Sequence, residues 1–256
     1  MLKITSTKNE YIRSLRKLRQ KKEREVTGLF IAEGMLCSSE AVRHASVRSL
    51  LFTEKYLESS TVREAEEKGI ATYLVTGEVM DQICSSKNPQ GMVAVAERQE
   101  GEYAFDRLIL FAEDISDPQN LGTLIRTADA MGACAVILTE GSADAFSPIC
   151  VRASMGSIFH IPVVYMERKY FCSEIVKVKG LGAAAVAGHL KGEPVFPDAG
   201  KAAILVGNET RGLSDEVSGL ADVLYRIPMY GKAESLNVAV AAGIILEKAA
   251  EAVNRI

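Results

Sequence analysis

Short apolar runs alternate with stretches of helical periodicity along most of the chain. In the first part, β-prone runs are separated by helical patterns near residues 35–44, 61–68 and 78–84. In the second part the runs are almost continuously apolar, as expected for strands buried on both faces of a parallel sheet that helices cover. The β-prone runs occupy residues 29–32, 47–52, 71–75 and 92–96 in the first part, and 108–112, 135–138, 161–165, 183–187, 202–206 and 223–227 in the second, where helices are predicted at 121–131, 170–179, 214–220 and 238–253.

The polar segment 97–102 is the best boundary between two predicted α/β domains. It is charged and has no hydrophobic periodicity. A length of 256 residues also suits two modest domains. We therefore expect a first domain over residues 1–100 and a second over residues 101–256.

Positive charge is concentrated at the start of a chain whose formal net charge is −3. Residues 1–24 hold nine Lys or Arg against two Glu, and Ile12, Leu15 and Leu18 recur at helical spacing. The pattern predicts a basic amphipathic helix, which either binds nucleic-acid phosphates or is an ordinary solvated face. The residues predicted to contact RNA are Arg13, Arg16, Lys17, Arg19, Lys21 and Lys22.

The cysteines and histidines do not form a recognisable ligand pattern. The five cysteines are odd in number and include no C-x-x-C pair, so no disulfide framework is expected. His44, His160 and His189 are scattered along the chain, and no metal is expected. No apolar stretch approaches the roughly 20 residues of a membrane span, and the first eight residues lack the apolar core of a signal peptide. We expect a cytoplasmic protein that binds no membrane.

Residues 180–185, Gly-Leu-Gly-Ala-Ala-Ala, satisfy the G-x-G-x-x-A pattern of dinucleotide-binding proteins. That function requires a strand before the glycines and a helix after them. Here a helical pattern precedes the glycines and a strand-like run follows. A nicotinamide or flavin enzyme is therefore not expected.

Three segments with polar residues follow buried runs of the second predicted domain. In parallel sheets, ligands bind at the ends of such strands. The first, 117–128, contains Asn120, a candidate N-cap of the helix that follows. Helical spacing puts Arg126 of the same segment beneath Gly122, on the face opposite the apolar one. The second segment, 207–212, is a loop with glycine at both ends, which permits unusual backbone angles and close approach of a ligand.

The third segment, 227–238, leads into a nearly all-apolar helix. Ser235 is the predicted N-cap of this helix. Asn237, predicted to lie in the first turn, is harder to explain by packing, because a buried amide needs hydrogen-bond partners.

In order, spacing and residue identity, the three segments together resemble the SpoU family of the SPOUT methyltransferases. Residues 88–91 and 147–156 also look like sequences of this family. The resemblance implies a C-terminal α/β domain with a parallel sheet and a trefoil knot, preceded by a small ribosomal-protein-like RNA-binding domain. It further implies a homodimer, S-adenosylmethionine as cofactor, and methylation of a ribose 2′-hydroxyl in ribosomal RNA, with transfer RNA as the second choice.

The resemblance also implies the site residues. Cofactor positions are Gly207, Ile227, Pro228, Leu236 and Asn237, and catalytic positions are Asn120, Arg126, Glu209, Ser235 and Asn237. The arginine is expected to act electrostatically, because a guanidinium stays protonated far above neutral pH. Two other functions stay open. One is a catalytically idle RNA-binding protein, expected to lack Asn120, Arg126 or Asn237, and the other is a base methyltransferase with a related knot.

Overall fold

The computed structural model describes residues 1–98 and 101–254. Its strands are β1 (Leu2–Ile4), β2 (Leu29–Glu33), β3 (Val47–Phe52), β4 (Ala71–Val75), β5 (Met92–Glu97), β6 (Leu108–Ala112), β7 (Val136–Thr139), β8 (Val163–Met166), β9 (Ala184–Glu193), β10 (Ala202–Val206) and β11 (Val223–Tyr225). Its α-helices are α1 (Glu10–Lys17), α2 (Lys21–Thr27), α3 (Met35–His44), α4 (Ser60–Glu67), α5 (Gly77–Ile83), α6 (Pro118–Ala130), α7 (Pro148–Ala153), α8 (Arg168–Gly180), α9 (Asp215–Ser218) and α10 (Val238–Asn254). Short 3-10 helices lie at Glu54–Tyr56 and Ser157–Phe159.

The described chain packs into two compact units. The first holds residues 1–98 and 144–160, and the second holds residues 101–143 and 161–254. The predicted boundary segment falls where the chain changes unit, although its residues 99 and 100 lie outside the described part. The packing differs from the predicted division, 1–100 and 101–256, at residues 144–160, because α7 packs against β2 of the first unit.

The first unit is built on a mixed sheet with the strand order β1-β4-β3-β5-β2. The strand β4 pairs in parallel with β1 and β3, whereas β5 pairs antiparallel with β2 and β3. The one element of this sheet that hydrophobic periodicity misses is β1, which is only three residues long. A core of apolar side chains from β2, β3 and β5 packs against α1 and α5.

The predicted basic helix is two helices, α1 and α2, with a turn at residues 18–20. Asn9 caps α1, because its side chain accepts hydrogen bonds from the amides of Tyr11 and Ile12. The amide of Leu18 bonds back to the carbonyl of Leu15 in a tighter turn, which ends the helix. Because Ile12, Leu15 and Leu18 are all buried, the apolar spacing continues to the break, and the sequence pattern does not reveal the turn.

The second unit confirms the predicted α/β fold with a parallel sheet. Its strand order is β11-β9-β10-β6-β7-β8, and the neighbouring strands pair in parallel. Every residue of the central strands β6 and β10 is buried, as their continuous apolar runs predict. On one side α10 packs against α6 and β10, and on the other α8 covers the core through Phe171, Ile175 and Val178.

The start of α6 differs from the prediction. Asp117, not Asn120, is the N-cap, because its Oδ1 accepts a hydrogen bond from the amide of Gln119 at 2.7 Å. Pro118 occupies the first helical position, where its fixed φ suits a helix and its missing N–H costs nothing. Asn120 therefore lies inside the first turn, which leaves its side chain available for contacts elsewhere.

Within the described residues, no helix is long and apolar enough to cross a membrane.

Candidate active site

The candidate site lies at one edge of the parallel sheet of the second unit. The strands β6 and β10 are paired neighbours, so the loops that follow them leave the sheet side by side. The loop after β6 leads into α6, and the loop after β10 holds the glycine-bounded segment 207–212. The start of α10 lies at the same edge, since a side chain there contacts one at the start of α6.

Asn120 joins the three polar segments that the sequence singled out. Its Nδ2 donates a hydrogen bond to Oε1 of Glu209 at 3.1 Å. Its Oδ1 accepts a hydrogen bond from Nδ2 of Asn237 at 2.9 Å. The structure therefore brings together three of the predicted catalytic residues. Glu209 is 89 positions and Asn237 is 117 positions from Asn120 along the chain.

Glu209 is held as a carboxylate by donors from the loop after β6. Its Oε2 accepts hydrogen bonds from the amide and the hydroxyl of Ser116, at 3.2 and 2.8 Å, and its Oε1 accepts one from the amide of Asp117 at 3.1 Å. Burial raises the pKa of Glu209, but it is outweighed by the hydrogen bonds from Asn120, from its own amide and from Ser116 and Asp117, which lower the pKa to about 2.

Asn237, and not Ser235, caps α10. The Oδ1 of Asn237 accepts hydrogen bonds from the amides of Ala239 and Val240, at 2.9 and 3.3 Å. This bonding fixes the amide group so that its Nδ2 faces Asn120. Capping accounts for an asparagine that packing could not explain. Ser235 is exposed and precedes the helix.

Arg126 stands apart from these contacts. It is exposed on α6 and, among the described residues, has no hydrogen-bond or ion-pair partner. It lies six positions after Asn120 on the helix, which puts it about 120° around the helix axis and about 9 Å further along it. Within one protomer, no hydrogen bond between described residues therefore links Arg126 to the cluster of Asn120, Glu209 and Asn237.

A cavity of about 420 Å³ lies beside this cluster, a size typical of a small-ligand site. Glu209 and Ser235 are among its lining residues, as are the predicted cofactor residues Gly207, Ile227 and Leu236. Pro228 and Asn237, also predicted to contact the cofactor, are not among the lining residues.

The backbone at Gly207 forms a wall that no side chain could share. A Cβ atom there would lie 2.3 Å from the carbonyl carbon of Gly212 and from the amide nitrogen of Leu213. Asn208 holds this loop closed, since its Oδ1 accepts hydrogen bonds from the amides of Thr210 and Arg211. Glycine at 207 is therefore required by the close packing of its own loop. Residues 207–212 of this loop line the cavity, which suits a cofactor held largely by the main chain.

A buried network that was not predicted from the sequence lies behind the loops. Glu113 is 2% exposed and accepts hydrogen bonds from Arg168 and from both the amide and the hydroxyl of Ser214, each of the last two at 2.8 Å. Arg168 also pairs with Asp114 at 2.9 Å. The carbonyl of Asp114 in turn accepts a hydrogen bond from Nδ2 of Asn208 at 2.8 Å. The position of Glu113 and Asp114 directly after a buried strand was an available signal.

The residues predicted to contact RNA have different environments in the first unit. Arg13, Lys17 and Lys22 are exposed, and Lys21 lies 3.8 Å from Glu25. Arg16 donates a hydrogen bond to the side chain of Gln82 at 3.3 Å. Arg19 instead donates to the carbonyls that end α5, which are those of Asp81, Gln82, Ile83 and Cys84.

Fold and site together define an α/β enzyme with a small-cofactor cavity at the carboxyl ends of its parallel strands. The model of the SpoU rRNA methylase family matches residues 107–247, and the model of the MRM3-like substrate-binding domain matches residues 9–94.

Similar proteins cover nearly the whole chain. The 23S rRNA (guanosine(2553)-2′-O)-methyltransferase RlmP of Bacillus subtilis (strain 168) is 36% identical over 248 residues, 96% of this chain and 98% of that protein. The 23S rRNA (uridine(2479)-2′-O)-methyltransferase of Streptomyces viridochromogenes is 30% identical over 96% of this chain and 91% of its own length. The structure of an AdoMet-bound rRNA methyltransferase from Sinorhizobium meliloti superposes with a TM-score of 0.85, at 33% identity, over 97% of each chain.

The chain belongs to the SpoU rRNA methylase family and is an S-adenosylmethionine-dependent RNA 2′-O-methyltransferase. The family, the fold class, the reaction and the cofactor expected from the sequence are thereby confirmed. The trefoil knot expected in the second domain is consistent with this family.

Proposed function

We propose that this enzyme methylates a ribose 2′-hydroxyl of 23S ribosomal RNA at the edge where β6 and β10 end. The observation that carries the proposal is the hydrogen-bonded chain from Asn237 through Asn120 to Glu209, because Glu209 also lines the cofactor cavity. The chain places two side-chain amides and a carboxylate next to the cavity in which a methyl donor would be held. Groups fixed in this way can orient a hydroxyl acceptor for transfer.

The asparagines orient the ribose in this mechanism. Each Nδ2 group carries two hydrogens, and each of Asn120 and Asn237 uses one of them within the chain of hydrogen bonds. The second hydrogen is available to an oxygen of the ribose. Glu209 keeps the Asn120 amide in a single orientation, since it accepts from Nδ2 and leaves Oδ1 for Asn237.

Arg126 has an electrostatic role in this mechanism. S-adenosylmethionine supplies an electrophilic methyl group when it is bound. Loss of the 2′-hydroxyl proton to water would leave negative charge on the acceptor oxygen, and the permanently protonated guanidinium of Arg126 would stabilise this charge and hold the neighbouring phosphate. We assign cofactor binding to Gly207, Ile227 and Leu236, and extend it to Pro228 and Asn237, whose neighbours in the chain line the cavity.

The role of Arg126 is tested by Arg126→Ala. We expect methyl transfer to fall by about 10²- to 10³-fold, the loss typical of removing one group that stabilises developing charge. Binding of S-adenosylmethionine, measured by calorimetry, should stay unchanged, because Arg126 does not line the cavity. A variant with near wild-type transfer would overturn the assignment.

The ribose acceptor is tested with an RNA that carries a single 2′-deoxy substitution at the mapped nucleotide. It should bind like the parent RNA, because affinity comes mainly from phosphates and shape, yet accept no methyl group. A base methyltransferase would still modify it, so methyl incorporation at the parent rate would contradict the proposal.

The RNA itself is identified by mapping 2′-O-methyl sites in total RNA from cells with and without the protein. The two relatives named above modify a guanosine and a uridine, so the family does not fix the base. A site lost from 23S rRNA supports the proposal, and a site lost only from transfer RNA contradicts it. A cytoplasmic location, which the substrate favours, is part of this proposal.

We further propose that the enzyme is a homodimer whose sites combine groups from two protomers. The position of Arg126 away from Asn120 on α6 supports this arrangement. Light scattering should give twice the mass of one chain. A mixture of Arg126→Ala and Asn120→Ala subunits should regain part of the activity that each variant lacks alone, and a mixture without activity would show that each site uses one protomer only.

A further inference from the structure

Two of the three histidines meet around one carboxylate in the first unit. Glu40 and His44 lie one turn apart on α3, and His160 follows the 3-10 helix Ser157–Phe159, which packs against α3. Oε2 of Glu40 is 3.0 Å from Nε2 of His160 and 3.5 Å from Nε2 of His44. The three ligand atoms all lie within 4.8 Å of one another.

Two imidazoles and a carboxylate are a donor set that binds Zn²⁺. Tetrahedral zinc with ligand bonds of about 2.0 to 2.1 Å has its ligand atoms about 3.3 Å apart. The two oxygen-to-nitrogen distances at Glu40 are already close to this value. Only the two histidines need to approach each other, and they are side chains on the surface, 49% and 32% exposed.

The carboxylate is held in place for this role. Its other oxygen, Oε1, accepts a hydrogen bond from Arg43 at 3.1 Å, which leaves Oε2 directed towards the imidazoles. The backbone at Gly156 has φ +99°, and a Cβ atom there would lie 2.7 Å from Cγ of Glu40. Glu40 thus packs directly on the turn that carries His160.

We propose that Glu40, His44 and His160 form a binding site for a divalent cation of the zinc class. The metal would link α3 to residues 144–160, the segment that returns to the first unit from a distant part of the sequence. Because it binds the folded arrangement and not the unfolded chain, it stabilises the first unit by mass action. Scattered positions along the sequence hid this cluster, which the fold assembles.

The test uses the full chain, freed of any histidine tag and of metal by a chelator. Titration with ZnCl₂ in a calorimeter should show one zinc per chain, and zinc should raise the melting temperature. His44→Gln and His160→Gln should each weaken binding by more than about tenfold, since changes even in groups that only orient metal ligands cost this much. His189→Gln is the matched control and should leave zinc binding unchanged.

A measurement on the unaltered chain keeps the proposal testable if a variant fails to fold. Cobalt(II), added in place of zinc, should give the visible spectrum of a nitrogen and oxygen site without a band from thiolate ligands. A thiolate band would move the metal to the free cysteines and overturn the proposal. So would the absence of saturable binding, or binding that survives both substitutions, and the cluster would then be only a hydrogen-bonded one.

Discussion

At the scale of single residues, the candidate site depends most on Glu209. The carboxylate accepts hydrogen bonds from Ser116, Asp117 and Asn120, so it fastens the loop after β10 to the loop after β6. A glutamine there would present an amide N–H to donors on at least one side. The charge of Glu209 is therefore part of the structure of the site.

The depressed pKa of Glu209 predicts how stability depends on pH. The pKa falls from its ordinary value of 4.5 to about 2 in the folded chain, so the unfolded state binds the proton more tightly. The stabilisation is complete above about pH 4.5 and is lost as the pH falls towards 2. As the pH falls below 5, the free energy of unfolding, measured with denaturant, should decrease less steeply for Glu209→Gln than for the wild-type chain. Equal pH dependence of the two free energies would contradict this prediction.

The sequence predicted these residues unevenly, for physical reasons. Asn120, Glu209 and Asn237 were predicted from the resemblance of three sequence segments to the SpoU family, each segment lying where a buried strand or helix begins or ends. Glu113 also follows a buried strand, but it lies outside those segments, and its partner Arg168 lies 55 residues away along the chain, so the network of the two was not predicted. The separation of Arg126 from Asn120 follows from helical periodicity, which places the two about 120° apart around the axis of α6.

At the scale of elements, helix starts were the least predictable feature of the site. Several polar residues precede α6 and α10, and each is a good cap by residue type. The choice is made by backbone geometry, which selects Asp117 next to a proline for α6 and Asn237 for α10. The strands β6 and β10, in contrast, match their predicted bounds, since continuous burial leaves a strong apolar signal.

The two roles of Asn237 can be separated by substitution. Asn237→Ser should keep the cap of α10, because serine is a good N-cap, but lose the hydrogen bond to Asn120. Asn237→Ala should lose both and lower the free energy of unfolding by about 1 kcal/mol. Methyl transfer should fall in both variants, while denaturant unfolding separates them. Equal stability of the two variants would show that the cap is not significant.

The helices α1 and α2 are the elements with which the RNA prediction is tested. Arg13, Lys17 and Lys22 are exposed. If they bind phosphates, changing all three to Gln should flatten the dependence of log affinity on log salt by about 0.7 to 0.9 for each phosphate that is no longer neutralised. Arg19→Gln is the comparison, since Arg19 donates hydrogen bonds to backbone carbonyls at the end of α5. Its removal should lower the free energy of unfolding and leave the salt dependence of RNA affinity nearly unchanged. An unchanged slope in the triple variant would make these side chains an ordinary solvated face.

At the scale of the whole molecule, residues 144–160 make the first unit discontinuous in sequence. Phe146 and Phe159 pack against Phe30, with ring centroids 5.1 and 5.8 Å apart from it. The buried Arg24 pairs with Asp144 at 2.5 Å. The helix α7 in this segment was not predicted from the sequence, although Ser147 and Pro148 suit a helix start. Local patterns also do not say which unit a helix joins, because that depends on contacts more than 100 residues apart in the chain.

This discontinuity predicts that a truncated chain without residues 1–100 does not fold correctly on its own. A chain that begins at residue 101 keeps residues 144–160 but loses Phe30 and Arg24, so Phe146 and Phe159 become exposed to water. We expect such a chain to aggregate and to bind a hydrophobic dye, because exposed aromatic patches promote association. The same truncated chain with Phe146→Ser and Phe159→Ser should be more soluble. Size-exclusion chromatography compares the two, and a truncated chain that elutes as a single well-folded species without the substitutions would show that residues 144–160 do not need the first unit to fold.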